Sequence, residues 1–96
     1  MSRYRPERKA EQILGSRGRI RVLQVLSESG ELNISEVSRR TGLNYTSVAR
    51  HLTSLEEIGL IKEKRYGKIR IFELIFRTLT IKFERNRPLS INIVNE

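Results

Sequence analysis

The sequence has no cysteine, no tryptophan, one histidine and two prolines. Without cysteine there is no disulfide framework, no thiolate metal site and no cysteine nucleophile. A single histidine, His51, cannot supply the several converging ligands a metal ion needs, so no metal is expected. A lone histidine and scattered serines make no visible nucleophile–base pair, so no catalytic residue is assigned and no enzyme is expected. Gly15-Ser16-Arg17-Gly18 is glycine-rich but lacks the lysine–serine ending and spacing of a phosphate-binding loop. It reads as a helix junction, and no cofactor is expected. No apolar run approaches the roughly 18–20 residues of a membrane span, so a membrane is not an expected partner. Met1 to Glu11 is charged from the start, unlike a signal peptide, and a cytoplasmic protein is expected.

What is present is charge of one sign. The chain has 96 residues and a formal net charge of +8, with a sequence pI near 10.6. The length amounts to one domain, with a core small enough to profit from a partner subunit. Its 38% hydrophobic and 31% charged residues are those of a globular protein with a wet surface. A basic excess of this size makes a polyanion the first partner to consider. The bases come in two clusters. One is Arg3, Arg5, Arg8, Lys9, Arg17, Arg19 and Arg21. The other is Lys62, Lys64, Arg65, Lys68 and Arg70, against Glu63 and Glu73. Between them Glu28, Glu31, Glu36, Glu56 and Glu57 outnumber Arg39, Arg40 and Arg50.

The periodicities predict helices first and a hairpin afterwards. Pro6 and Glu7 suit the first turn of a short helix that Gly15 stops near Leu14. Ser16 caps a second helix, Arg17 to about Ser29, with Ile20, Val22, Leu23, Val25 and Leu26 mostly on one face. Glu31 to Ile34 reads as a short edge strand. Ser35 is the expected cap of a third helix, anchored by Val37 and closed by Gly42. Asn44 caps a fourth, Tyr45 to Ile58, whose Val48, Leu52 and Leu55 are spaced by four and three residues. Leu60–Arg65 and Lys68–Leu74 read as strands joined by a tight turn at Tyr66-Gly67. After Leu74 the pattern fits either a helix (Ile75, Phe76, Leu79, Phe83) or a strand (Leu79, Ile81, Phe83). A helix to about Arg85 is the reading taken, with strand-like alternation at Leu89, Ile91 and Ile93 beyond Pro88.

Helices three and four, joined by a glycine turn, have the form of a helix-turn-helix. Val37, Leu43, Val48 and Leu52 clamp the pair together. The fourth helix then turns Thr46, Arg50 and Thr53 outward, flanked by Ser47, Ala49 and Ser54. That face is small and polar, with no acid before Glu56 and Glu57. Its N-terminal end suits a major groove about 12 Å wide. The following hairpin, Lys64 to Arg70, projects bases suited to phosphates or a narrow minor groove.

The stretch from Ile34 to Asn44, then Thr46-Ser47-Val48-Ala49-Arg50-His51-Leu52, then Leu55-Glu56-Glu57-Ile58-Gly59-Leu60-Ile61, resembles the winged helix-turn-helix of ArsR- and MarR-type regulators, especially small archaeal ones. The resemblance covers about Ile13 to Leu74. It implies an α+β, mainly helical fold: a three-helix core plus a β-hairpin wing, flanked by an N-terminal helix and a C-terminal segment. It also implies a homodimer binding double-stranded DNA, the second helix of the motif in the major groove and the wing beside it. The chain departs from metal-sensing relatives in lacking their cysteine and histidine clusters, and no small-molecule effector is evident.

Three regions follow: a basic arm with a short helix (1–15), the winged domain (16–74) and a dimerisation segment (75–96). The expected DNA contacts are Arg17, Arg19, Asn44, Tyr45, Thr46, Ser47, Ala49, Arg50, Thr53, Arg65, Lys68 and Arg70. The expected dimer contacts are Ile13, Leu14, Ile75, Phe76, Leu79, Ile81 and Phe83. The leading functional reading is a sequence-specific transcription regulator associated with the nucleoid. The rivals are a sequence-tolerant architectural DNA binder and a winged-helix module for protein partners.

Overall fold

The computed structural model describes residues 6–95, so Arg3 and Arg5 of the expected basic arm lie outside the described residues. The elements run α1 (Pro6–Leu14), α2 (Arg17–Ser29), β1 (Leu32–Asn33), α3 (Ile34–Thr41), α4 (Tyr45–Glu57), β2 (Ile61–Tyr66), β3 (Ile69–Leu74), β4 (Thr78–Lys82) and β5 (Ser90–Val94). Strands β1, β3 and β2 form one antiparallel sheet in that order, with β1 at its edge, and β4 and β5 form a separate antiparallel pair.

Local chemistry sets the helix boundaries. The Ser16 hydroxyl accepts from the Arg19 N–H at 3.1 Å and starts α2. Helix α3 begins one residue after Asn33, not after Ser35 as the sequence suggested. The Asn33 side chain accepts from the Glu36 N–H at 2.8 Å, and the Glu36 carboxylate accepts from the Asn33 N–H at 2.9 Å. This reciprocal pair satisfies two otherwise orphaned donors at once, which a lone serine cap cannot do. Helix α3 ends at Gly42, whose φ of 77° lies in the left-handed region open to glycine.

The core is formed by α2, α3, α4 and the first sheet. Val22, Leu26, Val37, Val48, Leu52, Leu55, Leu60 and Phe72 are all at most 1% exposed. They come from α2, α3, α4, β3 and the residue before β2, while β1 and β2 add the buried Leu32 and Ile61. Val48, Leu52 and Leu55 all turn inward, as their spacing required.

Further expectations fail. The wing's turn is Gly67-Lys68, one residue later than expected, because Tyr66 pairs with Ile69 and extends the ladder. Gly67 has φ 65° while Lys68 does not have positive φ. This order suits a two-residue turn with glycine first, whose twist matches the flanking strands. The segment after Leu74 is not a helix. Thr78, Thr80 and Ile81 favour a strand, and pairing of Leu79 with Ile93 and of Ile81 with Ile91 gives each apolar side chain a cross-strand neighbour. The alternation at Ile91 and Ile93 belongs to that second strand. Helix α1 packs against β5 and α2. This places Ile13, expected at a dimer contact, inside the protomer's own core at 4% exposed.

Candidate nucleic-acid interface

The geometry of the interface begins at the turn between α3 and α4. The Thr41 hydroxyl donates to the Val37 carbonyl at 2.7 Å and accepts from the Leu43 N–H at 3.2 Å, while Ser38 donates to the Leu43 carbonyl. Both ends of the turn are thus pinned, which fixes the crossing of the two helices. Asn44 then caps α4, its side-chain oxygen accepting from the Ser47 N–H at 2.8 Å. Asn44 and Ser47 therefore act first as the start of the helix.

With its apolar stripe buried, α4 exposes Tyr45, Thr46, Arg50 and Thr53, with Ala49 and Ser47 half-buried between them. The Thr53 hydroxyl donates to the Ala49 carbonyl at 3.0 Å, leaving mainly its methyl group outward. Glu56 and Glu57 lie at the far end of the helix, so the first three turns present no carboxylate.

The N-terminal end of α2 lies beside the middle of α4. A Cβ at Gly18 would stand 2.7 Å from the His51 Nε2 and 3.3 Å from the Leu43 Cδ1, so any larger residue would force the His51 ring to shift. The Arg19 Nε donates to the His51 Nδ1 at 3.4 Å, and its Nη1 donates to the Gln12 carbonyl at 2.9 Å. Arg19, expected to contact DNA, thereby ties α1 to α4. Burial, and then the charges of Arg19 and Arg50, hold the His51 imidazole below its ordinary pKa and favour the neutral ring. Arg17 is exposed at the start of α2.

At the other end, a polar cleft of about 190 Å³ separates the wing from the starts of α3 and α4. It is lined by Asn33, Ser35, Tyr45, Lys68, Ile69 and Arg70. The wing tip and the first turn of α4 are thus brought to one end of the molecule. Of the three wing bases expected there, Lys68 is exposed at the tip. Arg65 and Arg70 are both bonded to Glu63. On the opposite face of the hairpin Lys64 bridges Glu31 and Glu73, and Lys62 pairs with Glu73. Sequence reasoning missed these pairings, although strand alternation puts Glu63 and Arg65 on one face.

The apolar residues expected at a dimer contact divide. Leu14, Ile75 and Phe83 are 48%, 43% and 76% exposed. Phe76 and Leu79 instead pack against the core from its rim, and Ile81 is half-buried. Leu14 and Phe83 line one open apolar groove with Ala10 and Leu89. Among the described residues no group of side chains could hold a metal ion, and no helix is long and apolar enough to cross a membrane.

The family model HVO_A0114 matches residues 16–80. An uncharacterized HTH-type transcriptional regulator of Bacillus subtilis, YuzN, is 37% identical over 75 residues, covering 72% of this chain and 79% of that protein. Among solved structures, the chain is similar to the homodimeric winged helix-turn-helix DNA-binding domain Mb0332 of Mycobacterium bovis, a possible ArsR-family regulator. That match has TM-score 0.59 and 23% identity, over 77% of this chain and 75% of that one. It is also similar to the Zalpha domain of Carassius auratus PKZ in complex with Z-DNA, with TM-score 0.56 and 19% identity, over 59% of this chain and 90% of that one. These relatives are regulators and DNA-binding domains, not enzymes, and their shared fold is the one described above. The chain belongs to the HVO_A0114 family, among the HTH-type transcriptional regulators, and it has the winged helix-turn-helix fold.

Proposed function

We propose that the protein is a homodimeric, sequence-specific regulator that binds double-stranded DNA, with α4 in the major groove and the wing over the adjacent backbone. The observation that carries this reading is the exposed face of α4. Tyr45, Thr46, Arg50 and Thr53 stand outward on a helix held from behind by Val48, Leu52 and Leu55. No ion pair or hydrogen bond engages the Arg50 guanidinium among the described residues, so it is available to a guanine edge or a phosphate. The Zalpha domain and the Mycobacterium domain supply precedent for nucleic acid on this fold, and the latter for a homodimer.

Dimerisation is assigned to the surface of α1 and the β4–β5 pair, through Leu14, Ile75, Ile81 and Phe83. A two-fold pairing there would bury side chains that water otherwise solvates. It would present two copies of α4 to successive major grooves about 34–36 Å apart. A protein of this kind works on the nucleoid.

The test is selection from a pool of random duplexes with the full-length protein, followed by sequencing. Recovery of a motif repeated with two-fold symmetry supports the reading. Salt-sensitive binding without enrichment of any motif would replace it with the architectural one, in which phosphate contacts alone hold the duplex.

A further inference from the structure

Glu63 is an acid in the middle of a hairpin otherwise rich in bases. It shares a face of β2 with Arg65, and Arg70 lies opposite Arg65 across the ladder. The Arg70 Nε donates to the Glu63 Oε2 at 2.7 Å and its Nη2 to the Oε1 at 3.2 Å, a two-pronged contact. The Arg65 Nε donates to the same Oε2 at 3.1 Å. Arg70 also lies over the Phe72 ring, 5.3 Å from its centroid, so its guanidinium is held on two sides. The Glu63 side chain is 16% exposed, against 67% for Arg65 and 42% for Arg70. Its hydrogen bonds, chiefly with Arg70, hold its carboxyl below the usual range, so it is ionised at neutral pH. On the other face Lys62 and Lys64 are answered by Glu73 and Glu31. Lys68, at the turn, is the wing base with no ion pair among the described residues.

We propose that Glu63 is a specificity-determining residue: an internal counter-ion that competes with DNA phosphates for Arg65 and Arg70. The inference rests on the DNA-binding reading above. Two-pronged contacts between arginine and carboxylate are among the strong charged hydrogen bonds. A phosphate that draws the arginines away also leaves a bare carboxylate facing a polyanion, which offsets the gain. Attraction to phosphate is independent of sequence. Damping it in the wing leaves Lys68 as the main phosphate contact there, and gives the exposed face of α4 the larger share in choosing the site.

The test compares wild type with Glu63→Gln, each as the full chain, on a selected duplex and on a random duplex across a salt series. The substitution should steepen the log–log salt slope by about 1–2, since each added phosphate contact contributes about 0.9. It should tighten binding to random DNA more than to the selected duplex. An unchanged slope and an unchanged ratio overturn the proposal. So does weaker binding to both duplexes, which would make Glu63 a support that presents the arginines to phosphate. A second variant, Arg65→Ala, decides the matter even where Glu63→Gln folds poorly. Its slope should equal that of the wild type, and a fall of about 1 contradicts the proposal. If the wild type binds neither duplex, the DNA-binding reading falls and this inference with it. If the wild type binds and Glu63→Gln matches it, this inference alone fails.

Discussion

The winged domain and the layer of α1 with β4–β5 are built to different standards. From α2 to β3 the chain places a fully buried side chain in nearly every element, and Phe72, Leu26, Leu52 and Leu55 interlock at no more than 1% exposure. No side chain of the β4–β5 pair is fully buried, and Phe83, just past the end of β4, is 76% exposed. A two-stranded ribbon is at best weakly stable alone in water. Here it leans on α1 and on the rim of the core. The family match, residues 16–80, takes in the first region and stops within β4. The winged domain thus closes its core in one copy, whereas the flanking layer buries Ala10 and Ile13 of α1 but leaves Leu14, Ile75 and Phe83 exposed.

The sharpest way to break this contrast is a pair of alanine substitutions. Leu52→Ala should cost about 2–5 kcal/mol, because it opens a cavity in the buried core. Phe83→Ala should leave protomer stability within about 0.5 kcal/mol while loosening self-association. Thermal or denaturant unfolding of both, at a concentration where the protein is monomeric, checks the claim. Comparable losses would mean that the layer is as much core as the winged domain.

Removing the layer should act mainly on assembly. Truncation after Leu74 should give a less stable monomer by light scattering, with DNA binding weakened roughly 100-fold or more as the second half-site is lost. A truncated protein that still dimerises would move the interface onto the winged domain.

A smaller effect is expected within the interface. Arg50→Ala should leave the fold intact and cost about 1–3 kcal/mol on the preferred duplex. An unchanged affinity, with circular dichroism matching the wild type, would remove Arg50 from the interface.

The smallest effect joins the two regions, because Arg19 links the α1 carbonyl of Gln12 to His51 on α4. The folded state holds the His51 pKa below its ordinary 6.5, so folding disfavours the proton. Stability from this residue is therefore present above about pH 6.5 and is lost as pH falls below it towards the folded value. Melting temperatures at pH 7.5 and 5.5 should differ less in His51→Gln than in the wild type. An equal difference would assign the effect to carboxylates alone.

Much of this was legible in the sequence where one local signal dominates. The stripe of Val48, Leu52 and Leu55, the cap at Asn44 and the stop at Gly42 each follow from short-range chemistry, and each stands where expected. The start of α3 was misplaced because two competing caps, Asn33 and Ser35, lie two residues apart. The reciprocal partner Glu36 decides between them, through the spacing Asn33-Ile34-Ser35-Glu36. The strand at Leu79 was misread because its apolar residues fit both periods, and only pairing with a segment more than ten residues away settles the choice. The tie of Arg65 and Arg70 to Glu63 needs a contact across the hairpin, diagonal where Arg70 lies opposite Arg65, and periodicity along one strand does not reveal it. For the interface itself, the sequence could say which side chains face outward on α4, but not which bases the protein's own acids already hold.

The central claim is that two copies of α4, fixed in relation to each other, read two half-sites of one duplex. It is tested most directly by measuring the affinity of the full-length protein for its selected duplex, then for the same duplex with about half a helical turn, roughly 5 base pairs, inserted at its centre. The account predicts that the insertion lowers affinity to near that for random DNA, because the second half-site is carried to the far side of the helix. Equal affinity for the two duplexes would contradict it.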